Sequence, residues 1–466
     1  MRHYTLPEDF FFGAAMSGPQ TEGAWRIGGK LENMWDTWSN ESIDAFHNRV
    51  GSYVGNDFMA RYRGDLDIMA DLGLTSFRTS IQWSRLLDAN GELNPQGAAW
   101  YHRLFAAAAD RGLEVFVNLY HFDMPTYLFR RGGWESREVV EAYARYAQIA
   151  FREFGDEIRT WFTFNEPIVE PEQRYMTGVW YPQLHDFSRS LTVRYNISIA
   201  HCLATERFRQ AQAKGEMRDD ARIGLINCFS PSYTKDDPSE ADLEAVRMND
   251  GLNNRWWLDI VRDGTLPADV IETLEQRGQR LPHRPGDAQI LQLGPVDWLG
   301  CNYYQPSRVQ APDAPTDSYG NPRFADAYVW PEARMNTSRG WEIYPKGIYD
   351  FGMKCKRDYP GLEFFISENG IGIEGEGRER GGDGRIEDSY RVEFVRDHLA
   401  WIARAIDEGA ACRGYHYWAL IDNWSWANAF KNRYGFIEVD LTQGYARRAK
   451  RSADWLKEVV ATHIVR

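Results

Sequence analysis

Short apolar runs that are typical of buried strands recur along the chain, and segments with helical hydrophobic periodicity lie between them. We count eight such runs, over residues 11–16, 74–80, 113–120, 160–165, 221–228, 296–303, 363–367 and 414–420. A strand that is followed by a helix and then by another strand is typical of a parallel sheet, and eight such units close into a barrel. We therefore predict an α/β fold, a (β/α)8 TIM barrel.

The length of the chain is compatible with one large barrel or with several smaller domains. The 466 residues would suffice for about three domains of average size. However, no Pro/Ser-rich linker, low-complexity tract or repeat marks a boundary, so we predict a single catalytic domain over residues 1–466. Long insertions after the fifth and sixth runs are expected to form loops at the C-terminal face of the barrel, where such folds carry their active sites.

The charge balance and the cysteine pattern argue against several classes of protein. The 54 Lys and Arg residues against 67 Asp and Glu residues give a net charge of -13, which disfavours nucleic acid and anionic membranes as partners. The five cysteines are scattered without a CxxC spacing, so we expect neither a disulfide framework nor a metal site. No run is long enough to span a membrane, and the apolar segment 10–16 is too short for a signal peptide, which favours the cytoplasm.

One glycine-rich segment resembles a nucleotide-binding motif without its context. Residues 370–375 fit GxGxxG and follow a strand-like run. A dinucleotide site also needs a helix that begins at this point, whereas residues 376–382 are acidic and rich in glycine. We interpret the segment as a mobile loop beside the site, and we expect no cofactor.

Polar and aromatic residues lie at the C-terminal ends of the predicted strands. They are Gln20, Arg78, His121, Asn165, Glu166, Tyr304, Glu368 and Trp418. Any one of them is as easily explained as a core or rim residue. Because the carboxyl ends of barrel strands converge on one face, their joint placement predicts a binding site there.

Two glutamates in this set have matching surroundings. Glu166 and Glu368 each follow a β-branched and aromatic run, and each lies next to an asparagine. A single glutamate of this kind could be only a loop charge or a helix cap. The pair meets the needs of glycoside hydrolysis, in which one protonated carboxyl donates to the leaving oxygen and one ionised carboxyl attacks or stabilises the anomeric carbon.

Seven motifs, in order and over essentially the whole chain, resemble glycoside hydrolase family 1, the retaining β-glycosidases on a (β/α)8 barrel. The motifs span residues 12–23, 77–85, 119–125, 163–167, 302–304, 366–370 and 418–426. The resemblance implies that Glu166 is the acid/base and Glu368 the nucleophile. It also implies that the sugar and the nucleophile are held by surrounding side chains: Gln20, His121, Asn165 and Trp418 for the sugar, Arg78 and Tyr304 for the nucleophile.

The position before Trp426 departs from the plain β-glucosidases of that family, which carry a glutamate where this chain has Ser425. A glutamate would repel a 6-phosphate, whereas a serine hydroxyl can donate to it and leaves room. Ser425, Lys431 and Tyr434 resemble the phosphate pocket of the family's 6-phospho-β-glycosidase branch, with Trp426 as a further substrate-binding residue.

The cation of this predicted pocket is one place out of register. A well-known form of that branch has its lysine two places before the tyrosine, where this chain has Asn432. We expect Lys431 to reach the phosphate by its flexible stem, or Arg433 to contribute instead. The alternative is that Lys431 is only a solvated loop charge.

The leading prediction is therefore a 6-phospho-β-glucosidase that acts on small phosphorylated disaccharides or aryl glucosides. Glucose is favoured over galactose because residues 423–426 and 431–434 are more similar to the aryl-phospho-glucosidases of the branch. An unphosphorylated β-glucosidase or β-galactosidase is the alternative. A non-catalytic sugar-binding barrel is a remote third possibility, since both carboxyls are intact.

Overall fold

The computed structural model describes residues 4–466 and is built on a closed barrel of eight parallel strands. The barrel strands are β1 (Phe11–Ala15), β2 (Ser76–Ser80), β3 (Glu114–Asn118), β4 (Thr160–Asn165), β5 (Arg222–Cys228), β6 (Trp298–Asn302), β7 (Phe364–Asn369) and β8 (Cys412–Tyr417). They follow one another in chain order around the barrel, and β8 pairs with β1. Each predicted run overlaps one of these strands, so the predicted (β/α)8 fold is confirmed.

Aromatic side chains fill the interior of the barrel. Phe116, Phe162, Trp298 and Phe365 come from four different strands and pack with Ile226 into one buried cluster. The rings of Trp298 and Phe365 stack with centroids 4.6 Å apart. Bulky side chains in layers close a barrel of this size, so the interior forms a solid floor beneath the C-terminal face.

Helices pack around the barrel and connect its strands. The longer ones are Phe58–Asp71, Pro95–Ala109, Arg137–Phe154, Phe187–Ala213, Lys346–Asp358, Ser389–Asp407 and Ser452–Thr462. Shorter ones are Gly18–Thr21, Met34–Glu41, Trp83–Leu86, Thr126–Phe129, Val169–Pro171, Glu240–Asp250, Trp256–Asp263, Ala268–Gln276 and Asp287–Leu291. Turns of 3-10 helix are formed by Ile43–Ala45, His47–Arg49, Gly133–Glu135, Glu376–Glu379 and Trp426–Asn428, and π-helical turns by Glu172–Met176 and Gly251–Arg255. No helix within residues 4–466 is both long and apolar enough to cross a lipid bilayer.

The two predicted insertions have different structures. The insertion between β5 and β6 carries the four short helices from Glu240–Asp250 to Asp287–Leu291. The insertion between β6 and β7 is mainly extended, and it includes a tight antiparallel pair, Met335–Asn336 with Trp341–Glu342, which we call the 335–342 hairpin. The other short strands are Tyr4–Thr5, Ser232–Tyr233, Ser307–Gln310, Asp326–Ala327, Ile373–Glu374, Asn432–Arg433, Ile437–Asp440, Ala446–Ala449 and Ile464–Val465.

Candidate active site

A cavity of about 480 Å³ opens at the C-terminal ends of the barrel strands. The sequence-predicted site residues that line it are Gln20, His121, Asn165, Glu166, Tyr304, Glu368, Trp418, Ser425, Trp426 and Tyr434. Arg78 lies buried directly behind Glu368, and Lys431 lies outside the cavity. The barrel thus brings together, at one end of its strands, residues that are as far apart in sequence as Gln20 and Tyr434.

Glu368 lies near the end of β7 and is only 4% exposed. One carboxylate oxygen accepts a hydrogen bond from the buried Arg78 guanidinium. The other accepts from the Tyr304 hydroxyl at 2.6 Å. Both donors stabilise the negative charge of the carboxylate, which keeps it available as a nucleophile.

Glu166 follows the last residue of β4 in a left-handed backbone conformation, with φ of 45°. Its N–H donates to the Ile226 carbonyl at 2.8 Å, and its Oε1 accepts from the Asn302 amide at 2.8 Å. Burial and then the negative charge of Glu368 raise the pKa of Glu166 to about 8, against the opposing effects of Asn302 and Arg78. Near neutral pH, Glu166 is therefore mainly protonated, the state that a general acid needs.

Asn165 lies between the two glutamates in a connected polar network. Its side-chain oxygen accepts from Arg78 and from Asn302, both at 3.1 Å. Its amide nitrogen lies 3.3 Å from Nε2 of His121. Burial and the Arg78 charge hold the pKa of His121 well below its ordinary value, so the imidazole is neutral and can hydrogen-bond to sugar hydroxyls without adding charge.

Gln20 and four aromatic side chains complete the inner wall. Gln20 is fixed by the Ser17 hydroxyl at 2.8 Å and donates to the Trp424 carbonyl at 2.9 Å. The aromatic side chains are Phe122, Trp180, Trp418 and Trp426. A cavity with a few oriented polar groups between aromatic faces is suited to a pyranose, which has hydroxyls on its edges and apolar faces.

Ser425 and Tyr434 lie in the same cavity, as the sequence predicted for two of the phosphate-pocket residues. Ser425 begins a tight turn in which its N–H donates to the Ala429 carbonyl at 2.7 Å. Trp426, in this turn, has a positive φ of 54°.

Lys431 is a correction to the predicted site. Its ammonium lies 3.5 Å from Glu374, and its side chain is 35% exposed in a separate cleft. Arg433 also points away, with its guanidinium 3.1 Å from the Val439 carbonyl. Side chains alternate between the two faces of a strand, so Asn432 and Tyr434 face inward while Lys431 and Arg433 face outward. A shift of one position therefore removes the lysine from the cavity.

Several residues of the site were not predicted. Asn302 joins Glu166 to Asn165 and also accepts from the Ser367 hydroxyl at 2.6 Å. It ends β6, so the strand-end argument that selected Tyr304 applies to it equally. Arg339 and Trp341 also line the cavity, but they lie in the 335–342 hairpin, where no strand-end signal exists.

Within residues 4–466, no cluster of three or more His, Cys, Asp and Glu side chains is arranged to hold a metal ion. The site as described consists of two carboxyls in unlike surroundings, a polar network between them and an aromatic wall. This arrangement can supply an acid and a nucleophile to one bond of a bound sugar.

Comparison with known proteins gives a consistent result over the full length. The model of the family described as Glycosyl hydrolase family 1 matches residues 2–465. The chain is 42% identical to a 6-phospho-beta-glucosidase, GmuD, of Bacillus subtilis, over 98% of this chain and 97% of that protein. It is 33% identical to Beta-glucosidase A of Acetivibrio thermocellus, over 99% of both chains. Among solved structures, a family 1 β-glucosidase from Thermotoga maritima superposes with a TM-score of 0.89 at 30% identity, over 100% of both chains.

Proposed function

Because the chain belongs to glycosyl hydrolase family 1 and is a glycoside hydrolase, we propose that it cleaves 6-phospho-β-glucosides by double displacement with retention. Ser425 is the observation that carries the proposal: this residue, and not a glutamate, lines the cavity at the position where the plain β-glucosidases of the family carry a carboxylate. The Bacillus subtilis relative that is named a 6-phospho-beta-glucosidase supports the same substrate class.

In the first step, the ionised Glu368 attacks the anomeric carbon and forms a glycosyl ester. The bond to the aglycone breaks at the same time, and Glu166 gives its proton to the departing oxygen. The groups around each carboxyl support these roles, since Arg78 and Tyr304 donate to Glu368 while burial keeps Glu166 protonated.

In the second step, Glu166 removes a proton from water, which attacks the anomeric carbon and releases Glu368. Ester formation neutralises Glu368, and the charge of Glu368 is one cause of the raised pKa of Glu166. The pKa of Glu166 therefore falls in the intermediate, which makes the carboxylate available as a base when water arrives.

We assign the sugar hydroxyls to the polar groups of the inner wall. Asn165 is suited to the 2-hydroxyl because Arg78 and Asn302, which hydrogen-bond to the two carboxyls, also hydrogen-bond to it. A hydrogen bond to the 2-hydroxyl strengthens as positive charge develops at the anomeric carbon. Gln20 and His121 are assigned to the remaining hydroxyls, and Trp418 to the apolar face of the ring.

The test compares p-nitrophenyl β-glucoside, its 6-phosphate and the 6-phospho-β-galactoside with purified enzyme. We expect kcat/KM to be highest for the 6-phospho-β-glucoside. A higher kcat/KM for the unphosphorylated glucoside would contradict the proposal and favour a plain β-glucosidase, the activity named for the Acetivibrio thermocellus relative.

A further inference from the structure

Arg339 is the one Lys or Arg side chain among the described residues that line the cavity. Its Nε is buried without a hydrogen-bond partner, and the guanidinium forms no ion pair within residues 4–466. The neighbouring cations are already engaged, Lys431 with Glu374 and Arg433 with Asp422. Arg339 thus lines the cavity with a positive charge that no carboxylate among the described residues neutralises, which makes its guanidinium available to an anionic ligand.

The guanidinium of Arg339 lies over the aromatic ring of Trp341. Its Cζ lies 4.2 Å from the ring centroid of Trp341, a stacking arrangement that arginine favours. The Trp341 ring lies 5.3 Å from that of Tyr304, whose hydroxyl binds Glu368. Arg339 is thus part of an ordered wall that is continuous with the groups around the nucleophile.

Arg339 also lies close to Tyr434, one of the predicted phosphate-binding residues. Burial raises the pKa of the Tyr434 hydroxyl, and the positive charge of Arg339 is the main effect that opposes the rise. Tyr434 and Ser425 line the same cavity as Arg339. The three side chains together offer two hydroxyls and a guanidinium to one region.

Asn432 fixes the position of the 335–342 hairpin. Its amide donates to the carbonyl of Ser338, the residue before Arg339, at 3.1 Å. On the same side, Asn336 donates to the Gly372 carbonyl at 3.1 Å. Asn432 is 1% exposed and occupies the inward position next to Tyr434. At this position the chain therefore supplies an amide that holds the 335–342 hairpin, and the positive charge comes from Arg339 of the hairpin.

We propose that Arg339 binds the 6-phosphate of the substrate and is the residue that determines selectivity for phosphorylated sugars, together with Ser425 and Tyr434. The planar guanidinium can donate two parallel hydrogen bonds to a phosphate, which a lysine cannot do. This inference deepens the proposed function and depends on it.

The test measures kcat and KM of Arg339→Gln and Arg339→Lys with p-nitrophenyl β-glucoside 6-phosphate and with the unphosphorylated glucoside. For Arg339→Gln we expect kcat/KM for the phosphorylated substrate to fall about 30- to 100-fold, mainly through KM, because a charged hydrogen bond is lost. Arg339→Lys keeps a point charge and should recover part of this loss. The unphosphorylated substrate should change less than about threefold with either variant.

Two further variants separate the possible outcomes. Arg334→Gln removes an exposed arginine just before the same hairpin, and it should leave both substrates within about twofold. If kcat/KM for the phosphorylated glucoside falls in Lys431→Gln and not in Arg339→Gln, the Arg339 inference is wrong while the proposed function stands. An equal loss of both substrates in Arg339→Gln would show a structural role and also overturn the inference. If the wild-type enzyme itself prefers the unphosphorylated glucoside, the proposed function fails.

Discussion

At the scale of single residues, two chemically identical side chains differ because of their neighbours. Glu368 receives hydrogen bonds from Arg78 and Tyr304, whereas Glu166 receives one from Asn302. Glu166 is also the residue whose pKa is raised to about 8 by burial and by the charge of Glu368. The difference in environment is what divides the acid from the nucleophile.

The pH dependence of kcat/KM should report this difference. Since Glu166 acts first as an acid, activity should fall as pH rises through about 8, where Glu166 loses its proton in the free enzyme. The profile of the phosphorylated substrate is best measured above about pH 7, because the second pKa of a phosphate monoester lies near 6. A profile that stays flat from pH 7 to 10 would contradict the raised pKa of Glu166.

Ser425 allows a second residue-scale prediction. Ser425→Glu replaces a neutral hydroxyl, which can donate to the 6-phosphate, by a carboxylate, which repels it. We therefore expect kcat/KM for the phosphorylated glucoside to fall at least about 100-fold. Ser425→Ala is the matched control. It removes one hydrogen bond and should cost only about five- to tenfold. If each variant changes kcat/KM by the same factor for the phosphorylated and the unphosphorylated glucoside, the 6-phosphate does not bind at this position.

At the scale of elements, the glycines of the 370–375 segment have a packing role. A Cβ on Gly370 would lie 1.7 Å from the Trp418 carbonyl oxygen, and one on Gly372 would lie 2.4 Å from the Tyr434 ring. Gly375 has a positive φ of 73° before the 3-10 turn Glu376–Glu379. The GxGxxG pattern therefore reflects close approach of this loop to the site, and a short strand, Ile373–Glu374, lies where a dinucleotide-binding motif would begin its helix.

Substitution of Gly372 should disturb Tyr434 in particular. Gly372→Ala forces the buried ring to move, and overpacking of this kind costs about 1–3 kcal/mol. We expect KM for the phosphorylated glucoside to rise several-fold more than KM for the neutral glucoside. Gly377→Ala is the control, because no atom lies within 4 Å of the added Cβ. If both alanine variants behave alike, the contact with Tyr434 does not matter for binding.

The elements also show what the sequence could predict and where it failed. The barrel strands and most of the site were predictable, because strand periodicity is local and strand ends converge by topology. The sequence showed that Lys431 is one place out of register but not which face its side chain occupies, and in the structure it lies outside the cavity, beside Glu374. Arg339 reaches the cavity through packing between an insertion and a distant strand, at Ser338 and Asn432, and no local pattern encodes that contact.

At the scale of the whole molecule, the barrel supplies a rigid base for an active site that is itself costly. The aromatic floor and the surrounding helices are closely packed, while the site above them holds two glutamates near each other in a buried cavity. An ionised carboxyl that is buried near a second carboxylate makes the free energy of folding less favourable, because it loses hydration and is repelled by its neighbour. A site of this kind is expected to lower stability in exchange for function.

The loss of stability that Glu166 causes can be measured with Glu166→Gln, since glutamine has nearly the same shape but cannot ionise. The pKa of Glu166 is about 8 in the folded protein against an ordinary value of 4.5, so the unfolded chain ionises first as pH rises. Wild-type stability therefore decreases, relative to that of the variant, between about pH 4.5 and pH 8. We expect the Tm of Glu166→Gln to exceed that of the wild type by several degrees at pH 8, and by little at pH 4.5.

The control for this prediction is Glu379→Gln, which neutralises an exposed glutamate at the end of a short 3-10 turn. It also replaces one ionisable carboxyl by an amide, so any general effect on Tm of exchanging a glutamate for a glutamine appears in both variants. Because the Glu379 side chain is solvated in both states, its replacement should leave the Tm almost unchanged at either pH. A Tm difference for Glu166→Gln that is the same at pH 4.5 and pH 8, or that matches the control, would mean that Glu166 titrates alike in the folded and unfolded protein. The raised pKa, and with it the assignment of Glu166 as the acid at neutral pH, would then be wrong.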